Sequence, residues 1–269
     1  MHKVGVGGCG FTGTAVSVGF SNIADIREHD KYKNTESLES VVQNSDILFL
    51  TLPTPMCEDG SCDSSIVEEV CNDIVSVAQK RKTIVIKSTV PPGTTKKLNQ
   101  KHGDKHWIVF NPEFLREKTF IQDFLNQDRI ILGYDRSRRE GDGLSCSTRT
   151  ADKLMKLYID FIKTQKVPAK IIVTDSTVAE MAKYMANSFL ATKVIFFNEM
   201  YEICQAAGID FEEARRLVTM DKRIGESHTI VPNDGDFGFG GSCLSKDINA
   251  LAAFAREKNA DPLVLDSIW

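Results

Sequence analysis

No apolar run in this sequence approaches the roughly 18 residues a membrane span requires. Met1-His2-Lys3 passes straight into Val4-Gly5-Val6, so no secretory leader with its apolar stretch and cleavage site is expected. An excess of one charge is also lacking: 33 basic residues stand against 37 acidic ones, so neither nucleic acid nor an anionic membrane surface is an expected partner. The seven cysteines (9, 57, 62, 71, 146, 204 and 243) contain no CxxC pair and are odd in number, unlike a disulfide framework or a zinc site. The expectation is a cytoplasmic, reducing environment, no metal, and at least one thiol available for chemistry. Repeats and low-complexity tracts are absent too.

What is present fits a globular chain able to bury a sizeable core, with 42% apolar and 26% charged residues. Through about residue 175, short apolar runs alternate with longer amphipathic stretches, the pattern of βα units on a mostly parallel sheet. Strands are expected at Lys3 to Gly7, Asp46 to Leu52, Thr83 to Lys87, Trp107 to Phe110, Arg129 to Gly133 and Lys170 to Thr174. Helices are expected at Ser64 to Gln79 and Ala151 to Lys163, and Asp135 to Thr150, which has no apolar period, reads as a surface loop.

From Ser176 the texture changes. Thr177-Val178-Ala179-Glu180 is a capping box, and neither Gly nor Pro follows until Gly208, so one long helix is the simple reading. Its apolar residues (Met181, Met185, Phe189, Val194, Ile195, Phe197, Met200) lie on nearly every side, more than one sheet face can cover, and a second copy of the chain would supply the remaining cover. Asp210 with Glu213 opens a further helix, and Ser245 to Lys258 reads as another after the glycine-rich turn FGFGG. The expected organisation is a Rossmann-like α/β domain at 1–176 with a doubly wound sheet, then an α-helical domain with a long central helix at 177–269.

Gly8-Cys9-Gly10-Phe11-Thr12-Gly13 follows the first strand and opens a helix, the setting in which GxGxxG cradles a dinucleotide pyrophosphate on a helix N-terminus. Asp30, 17 residues past Gly13, falls near the end of the expected second strand, where a carboxylate binds ribose hydroxyls and repels the extra phosphate of NADP. The overlapping Gly5-Val6-Gly7-Gly8-Cys9-Gly10 fits the same pattern, so the glycines alone leave two registers open. The plain alternative is a tight turn without ligand.

Cys243 stands at the start of an expected helix just past Gly240-Gly241, with Lys246 three residues on, and both the helix terminus and the ammonium favour thiolate. A buried apolar filler is the equal alternative. Lys183 and Asn187 share one face of the long helix at i and i+4. A solvated lysine beside an amide explains that spacing at least as well. Glu113 in Asn111-Pro112-Glu113 ends an apolar strand, where doubly wound sheets bind ligands. Lys87-Ser88-Thr89-Val90-Pro91-Pro92-Gly93 and Thr51-Leu52-Pro53-Thr54-Pro55 end two other strands with hydroxyls and prolines.

Together these segments resemble the UDP-glucose and GDP-mannose dehydrogenase family. GCGFTG, LTLPTP, KSTVPPGT, NPEFLRE, DRIILG, AEMAKYMANSFLATK, DKRIG and GFGGSCLSKD occur in family order from Lys3 to about Leu251. The resemblance implies a nucleotide-sugar 6-dehydrogenase, an NAD-dependent enzyme that oxidises a sugar's primary alcohol to a carboxylate through a cysteine-linked thiohemiacetal and thioester, UDP-glucose being the favoured substrate. It implies Cys243 as nucleophile, Glu113 as the base for thioester hydrolysis, Lys183 and Asn187 on the oxyanion, Asp247 positioning water and Thr89 supporting it. Gly8, Gly10, Phe11, Thr12, Gly13, Asp30, Thr54, Thr89 and Glu117 would contact NAD. Glu113, Phe114, Leu115, Lys183, Asn187, Phe239, Gly240 and, across a homodimer interface, Arg223 would contact the sugar nucleotide. Family members continue into a third α/β domain that grips the nucleotide, so much of the uridine site is expected to be missing here. The rivals are a β-hydroxyacid dehydrogenase, which needs no Cys243 and transfers one hydride, and a non-catalytic NAD-binding remnant.

Overall fold

A computed structural model describes residues 1–137, 146–232, 237–239 and 242–268, and the side chains of 146–152 and 242–243 lie outside that description. Seven strands, β1 (His2–Gly7), β2 (Ala24–His29), β3 (Ile47–Leu50), β4 (Thr83–Ile86), β5 (Trp107–Phe110), β6 (Arg129–Tyr134) and β7 (Lys170–Asp175), form one sheet in the order β2-β1-β3-β4-β5-β6-β7. Every neighbouring pair is parallel except β5 with β6. The described helices are α1 (Phe11–Phe20), α2 (Leu38–Asn44), α3 (Ser65–Val77), α4 (Thr94–His102), α5 (Phe120–Leu125), α6 (Cys146–Gln165), α7 (Ser176–Ala207), α8 (Phe211–Thr219), α9 (Ser242–Glu257) and α10 (Leu263–Ile268). The fold is the expected Rossmann-like α/β sheet followed by a long helix.

One expectation needs correcting, and one element the sequence implied only indirectly can be placed. The polar stretch 135–150 is not wholly a loop, because α6 begins at Cys146, one and a half turns before the expected start. Its first residues, CSTRT, carry no apolar period, so the sequence shows the helix only from Ala151 on. Residues 138–145 lie outside the described residues. The second strand, expected only through the placement of Asp30, is Ala24–His29; as a half-exposed edge strand of polar composition it has no apolar run to announce it.

The chain packs as two compact units, one of Met1–Thr54 with Asp63–Lys183 and one of Pro55–Cys62 with Tyr184–Trp269. In the sheet unit, alternate strand residues go to opposite faces and both faces are covered. Val4, Val6, Ile47, Phe49, Val85 and Val109 pack with α1, α5 and α6. Leu48, Leu50, Ile84, Ile86, Ile108 and Phe110 pack with α2, α3, α4 and Ala179 of α7. Phe20, Phe124, Tyr158 and Phe161 meet edge to face in the first layer at 5.4 to 6.5 Å. This double cladding puts the carboxyl ends of β1, β3, β4 and β5 on one edge, where the motif residues fall.

The helical unit gathers the rest of α7 with α8, α9 and α10. Val194 and Phe197 are buried within it, Tyr201 stacks edge to face on Phe211 and Phe237, and Lys193 donates to the carbonyls of Ile224 and Gly225. The Asp210 carboxylate caps α8 by accepting from Glu213 N, as its capping pattern implies. No helix of the described residues is long and apolar enough to cross a membrane.

Candidate active site

The glycine loop is built by close approach. Gly8 has φ of 89°, and a Cβ on it would meet Thr51 O at 2.7 Å. A Cβ on Gly13 would stand 2.0 Å from Gly8 O and 2.8 Å from Thr51 Oγ1, so α1 can start this near the strand end only with glycine there. Thr51 donates its hydroxyl to Gly8 O at 2.5 Å. These constraints belong to Gly8 and Gly13, whereas Gly5 lies inside β1, and of the two sequence registers they select the later. At Gly10 an added Cβ would meet nothing within 4 Å, and the first turn of α1 carries no acidic residue. The open space beside Gly10 and the absence of an acidic residue from this first turn fit the pyrophosphate of a dinucleotide.

Asp30 follows β2 directly and reaches back to this loop. Its carboxylate accepts from Cys9 N at 2.8 Å and Tyr32 N at 2.9 Å, and these two N–H groups hold its carboxyl below the ordinary range. Lys33 donates to Cys9 O at 2.5 Å, a contact the sequence reading missed. Cys9 is buried in the loop; burial first, then Glu28 and Asp30, push its thiol up to about 11, so it packs rather than reacts. Phe11 meets Phe120 edge to face at 6.1 Å. Thr54 and Thr89 are buried after the ends of β3 and β4, while Glu117 sits on an exposed turn before α5.

At the end of β5, Glu113 and Lys183 form a buried ion pair at 3.1 Å. The other Glu113 oxygen accepts from Leu115 N at 2.6 Å. Burial pushes the Glu113 carboxyl up, but Lys183, the Leu115 N–H and Lys87 together outweigh it and hold the group below its usual range. The Phe114 ring lies under both the Lys183 ammonium (5.3 Å) and the Arg129 guanidinium (4.4 Å). Lys183 stands three residues after Glu180, whose buried carboxylate accepts from Gly93 N at 2.6 Å and Thr95 N at 2.8 Å and so caps α4. Through this cap the turn that follows Thr89 is tied to the first turns of α7.

In the helical unit, Asn187 donates to Asp247 at 2.6 Å, both side chains being buried, and Lys246 pairs with the other oxygen of Asp247. The Lys246 ammonium, read from spacing as support for a thiolate at Cys243, thus has Asp247 as its partner. Cys243 is the second residue of α9, one turn before Asp247; its side chain and all of Gly240 lie outside the described residues. Phe239 is half-buried. Arg223 is 90% exposed and paired with Asp221 on its own turn.

The geometry thus assembles three groups: the glycine loop with Asp30; Glu113, Phe114 and Leu115 with Lys183; and Asn187 with Asp247. The family's NAD binding domain matches residues 19–145, and its central domain matches residues 177–268. The chain belongs to the UDP-glucose/GDP-mannose dehydrogenase family. As a family member it carries the NAD-binding half of a dehydrogenase. It is 36% identical over 244 residues to a UDP-glucose 6-dehydrogenase of Rickettsia bellii, covering 90% of this chain and 52% of that protein. The chain spans about half the length of the curated relatives it matches. Its fold superposes with a TM-score of 0.84 on a UDP-glucose dehydrogenase from Pyrobaculum islandicum at 28% identity, covering all of this chain and 67% of that one. A 3-hydroxyisobutyrate dehydrogenase of Mycobacterium tuberculosis superposes at 0.76 with 15% identity, covering all of this chain and 91% of that one, a likeness of fold alone.

Proposed function

We propose that this chain carries the catalytic half of a nucleotide-sugar 6-dehydrogenase, with UDP-glucose as its substrate. The buried Glu113–Lys183 pair carries the reading, because it places a base and a cation together within family motifs. Gly8, Gly10, Phe11, Thr12, Gly13, Asp30, Thr54, Thr89 and Glu117 would hold NAD, which when bound supplies the hydride acceptor. Each Asp30 oxygen keeps a second lone pair for a ribose hydroxyl beyond the N–H it accepts.

In this reading the Cys243 thiolate adds to the aldehyde carbon of the half-oxidised sugar, and oxidation of the adduct leaves a thioester. The Lys183 ammonium and the Asn187 amide donate to the oxygen that gains charge. Glu113, kept ionised by its cations, takes the proton of the water that cleaves the thioester. Asp247, with Thr89, would orient that water. Phe114, Leu115, Phe239, Gly240 and Arg223 would line the sugar nucleotide.

The assembly proposed is a homodimer through α7, where Met185, Phe189, Phe196 and Ile203 are spaced four or seven apart on one face and are each more than half exposed. The functional test is stoichiometry with UDP-glucose and NAD. Two reduced cofactors per sugar consumed, falling to none or one in Cys243→Ser, is the expected result. One per sugar in the parent chain, unchanged in Cys243→Ser, overturns the reading.

A further inference from the structure

Lys87 has no place in this mechanism, yet it occupies an expensive position. It directly follows β4, a run buried on both faces, and its side chain is itself buried. The ammonium donates to Asn111 Oδ1 at 2.9 Å and lies 5.6 Å from the Phe124 ring. Tyr158 of α6 donates its hydroxyl to the same Oδ1, and Asn111 Nδ2 donates to Ile131 O of β6 at 2.8 Å. Asn111 is therefore fixed from β4, α6 and β6 at once, and only Pro112 separates it from Glu113.

A methionine or leucine would fill the space beside Asn111 without bringing a charge into the interior, where unpaired ions are strongly disfavoured. The charged groups facing Lys87 are Glu113 after β5 and Lys183 on α7, and the third titratable group is Tyr158 on α6. Burial pulls the Lys87 ammonium down to about 8; Glu113 opposes that fall and Lys183 adds to it.

We propose that Lys87 is a positioning residue for Glu113: it anchors the Asn111-Pro112-Glu113 segment and adds a second positive charge behind Glu113 to that of Lys183. The anchoring of the segment by Lys87 stands on its hydrogen bond to Asn111, while its catalytic meaning rests on the reading of Glu113 as the hydrolytic base. Under that reading Lys183 turns to the substrate oxygen during the reaction. Glu113 then loses its contact cation, and the charge behind Asn111 remains.

The test is a carbon-13 NMR titration of the Glu113 carboxyl and of the Lys87 side chain in the whole chain. In Lys87→Met the Glu113 proton affinity rises by about threefold or more, a shift that mere loss of packing does not produce. Because coupling between two sites is reciprocal, Glu113→Gln lowers the proton affinity of Lys87 by a similar factor. An unmoved Glu113 midpoint in folded Lys87→Met overturns the proposal. If that variant does not fold, an unmoved Lys87 midpoint in Glu113→Gln overturns it alone. The cofactor count per sugar decides the reading of the reaction separately, so the two fail independently.

Discussion

The two units of this chain bury themselves to different degrees. In the sheet unit every central strand is covered on both faces, and the charges taken inside have partners: Glu113 with Lys183, Glu180 with the start of α4, and Lys82 with the carbonyl of Ser45. In the helical unit Asn187, Asp247 and Lys246 form an inner polar cluster, but Met185, Phe189, Phe196, Ile203, Leu217 and Met220 are all more than half exposed. A parallel sheet clad on both sides closes its own core, whereas a few helices with apolar residues all round do not. The sheet unit leaves scattered apolar residues exposed, such as those of its β7 edge and Val178, whereas the helical unit asks for cover.

The largest expected effect that tests this contrast is in the sheet unit. Lys183→Met strands a buried carboxylate and should cost about 3–5 kcal/mol in denaturant unfolding at neutral pH. Arg223→Met, on the exposed turn of the helical unit, should leave unfolding unchanged. The pH dependence should invert as well. In the parent chain the folded Glu113 pKa lies below its unfolded value near 4.5, so its stabilisation is full above that pH and is lost as pH falls through the folded value. Without Lys183 burial dominates, the folded pKa rises, and the Glu113 contribution declines as pH climbs above 4.5. A loss under about 1 kcal/mol with no inversion would show the pair to be solvated.

Next comes the glycine loop. Gly13→Ala forces a Cβ against Gly8 O and should cost about 3 kcal/mol, the upper end for overpacking, because backbone cannot yield. Gly10→Ala meets open space and should leave unfolding unaltered while weakening NAD in calorimetry. Equal stability of the two variants would mean that α1 shifts to make room.

In the helical unit, Phe189→Glu should weaken self-association by about 2 kcal/mol, as for one central contact of an interface, and leave the monomer's melting unchanged. Light scattering that finds a monomer for the parent chain at all concentrations would remove the homodimer and leave the stripe unexplained. The smallest effect concerns cofactor choice, which should reside wholly in the sheet unit. Asp30→Asn should narrow the preference for NAD over NADP by about tenfold, roughly 1.4 kcal/mol. No preference in the parent would mean that Asp30 serves only to hold Cys9 and Tyr32.

Much of this was legible in one dimension. The strands Thr83–Ile86 and Trp107–Phe110 stand out as apolar runs bounded by turn residues, and Ser176–Ala207 as a stretch without Gly or Pro. The expected capping box does not form, because Thr177 N donates to Asp175 and Glu180 caps α4. Glu113, Lys183, Asn187 and Asp247 could each be named from a motif. Where the local pattern is weak the reading faltered, at the polar edge strand Ala24–His29 and at the first turn of α6. Lys87 was given a place at a strand end but no role, because a lysine after an apolar strand looks like a solvated end, and nothing near it in sequence announces Tyr158 or Asn111.

By itself the sequence determined the elements and the residue types at strand ends, because side-chain period and turn chemistry act over a few residues. Only the tertiary structure decided which glycine register is used, since that depends on the distance from Gly13 to Gly8 O. It alone decided that Glu113 and Lys183, seventy positions apart, form one buried pair, and that Pro55–Cys62 joins the helical unit. Those outcomes depend on strand order and on how helices seat against the sheet. Long-range packing sets both, and no local pattern encodes it.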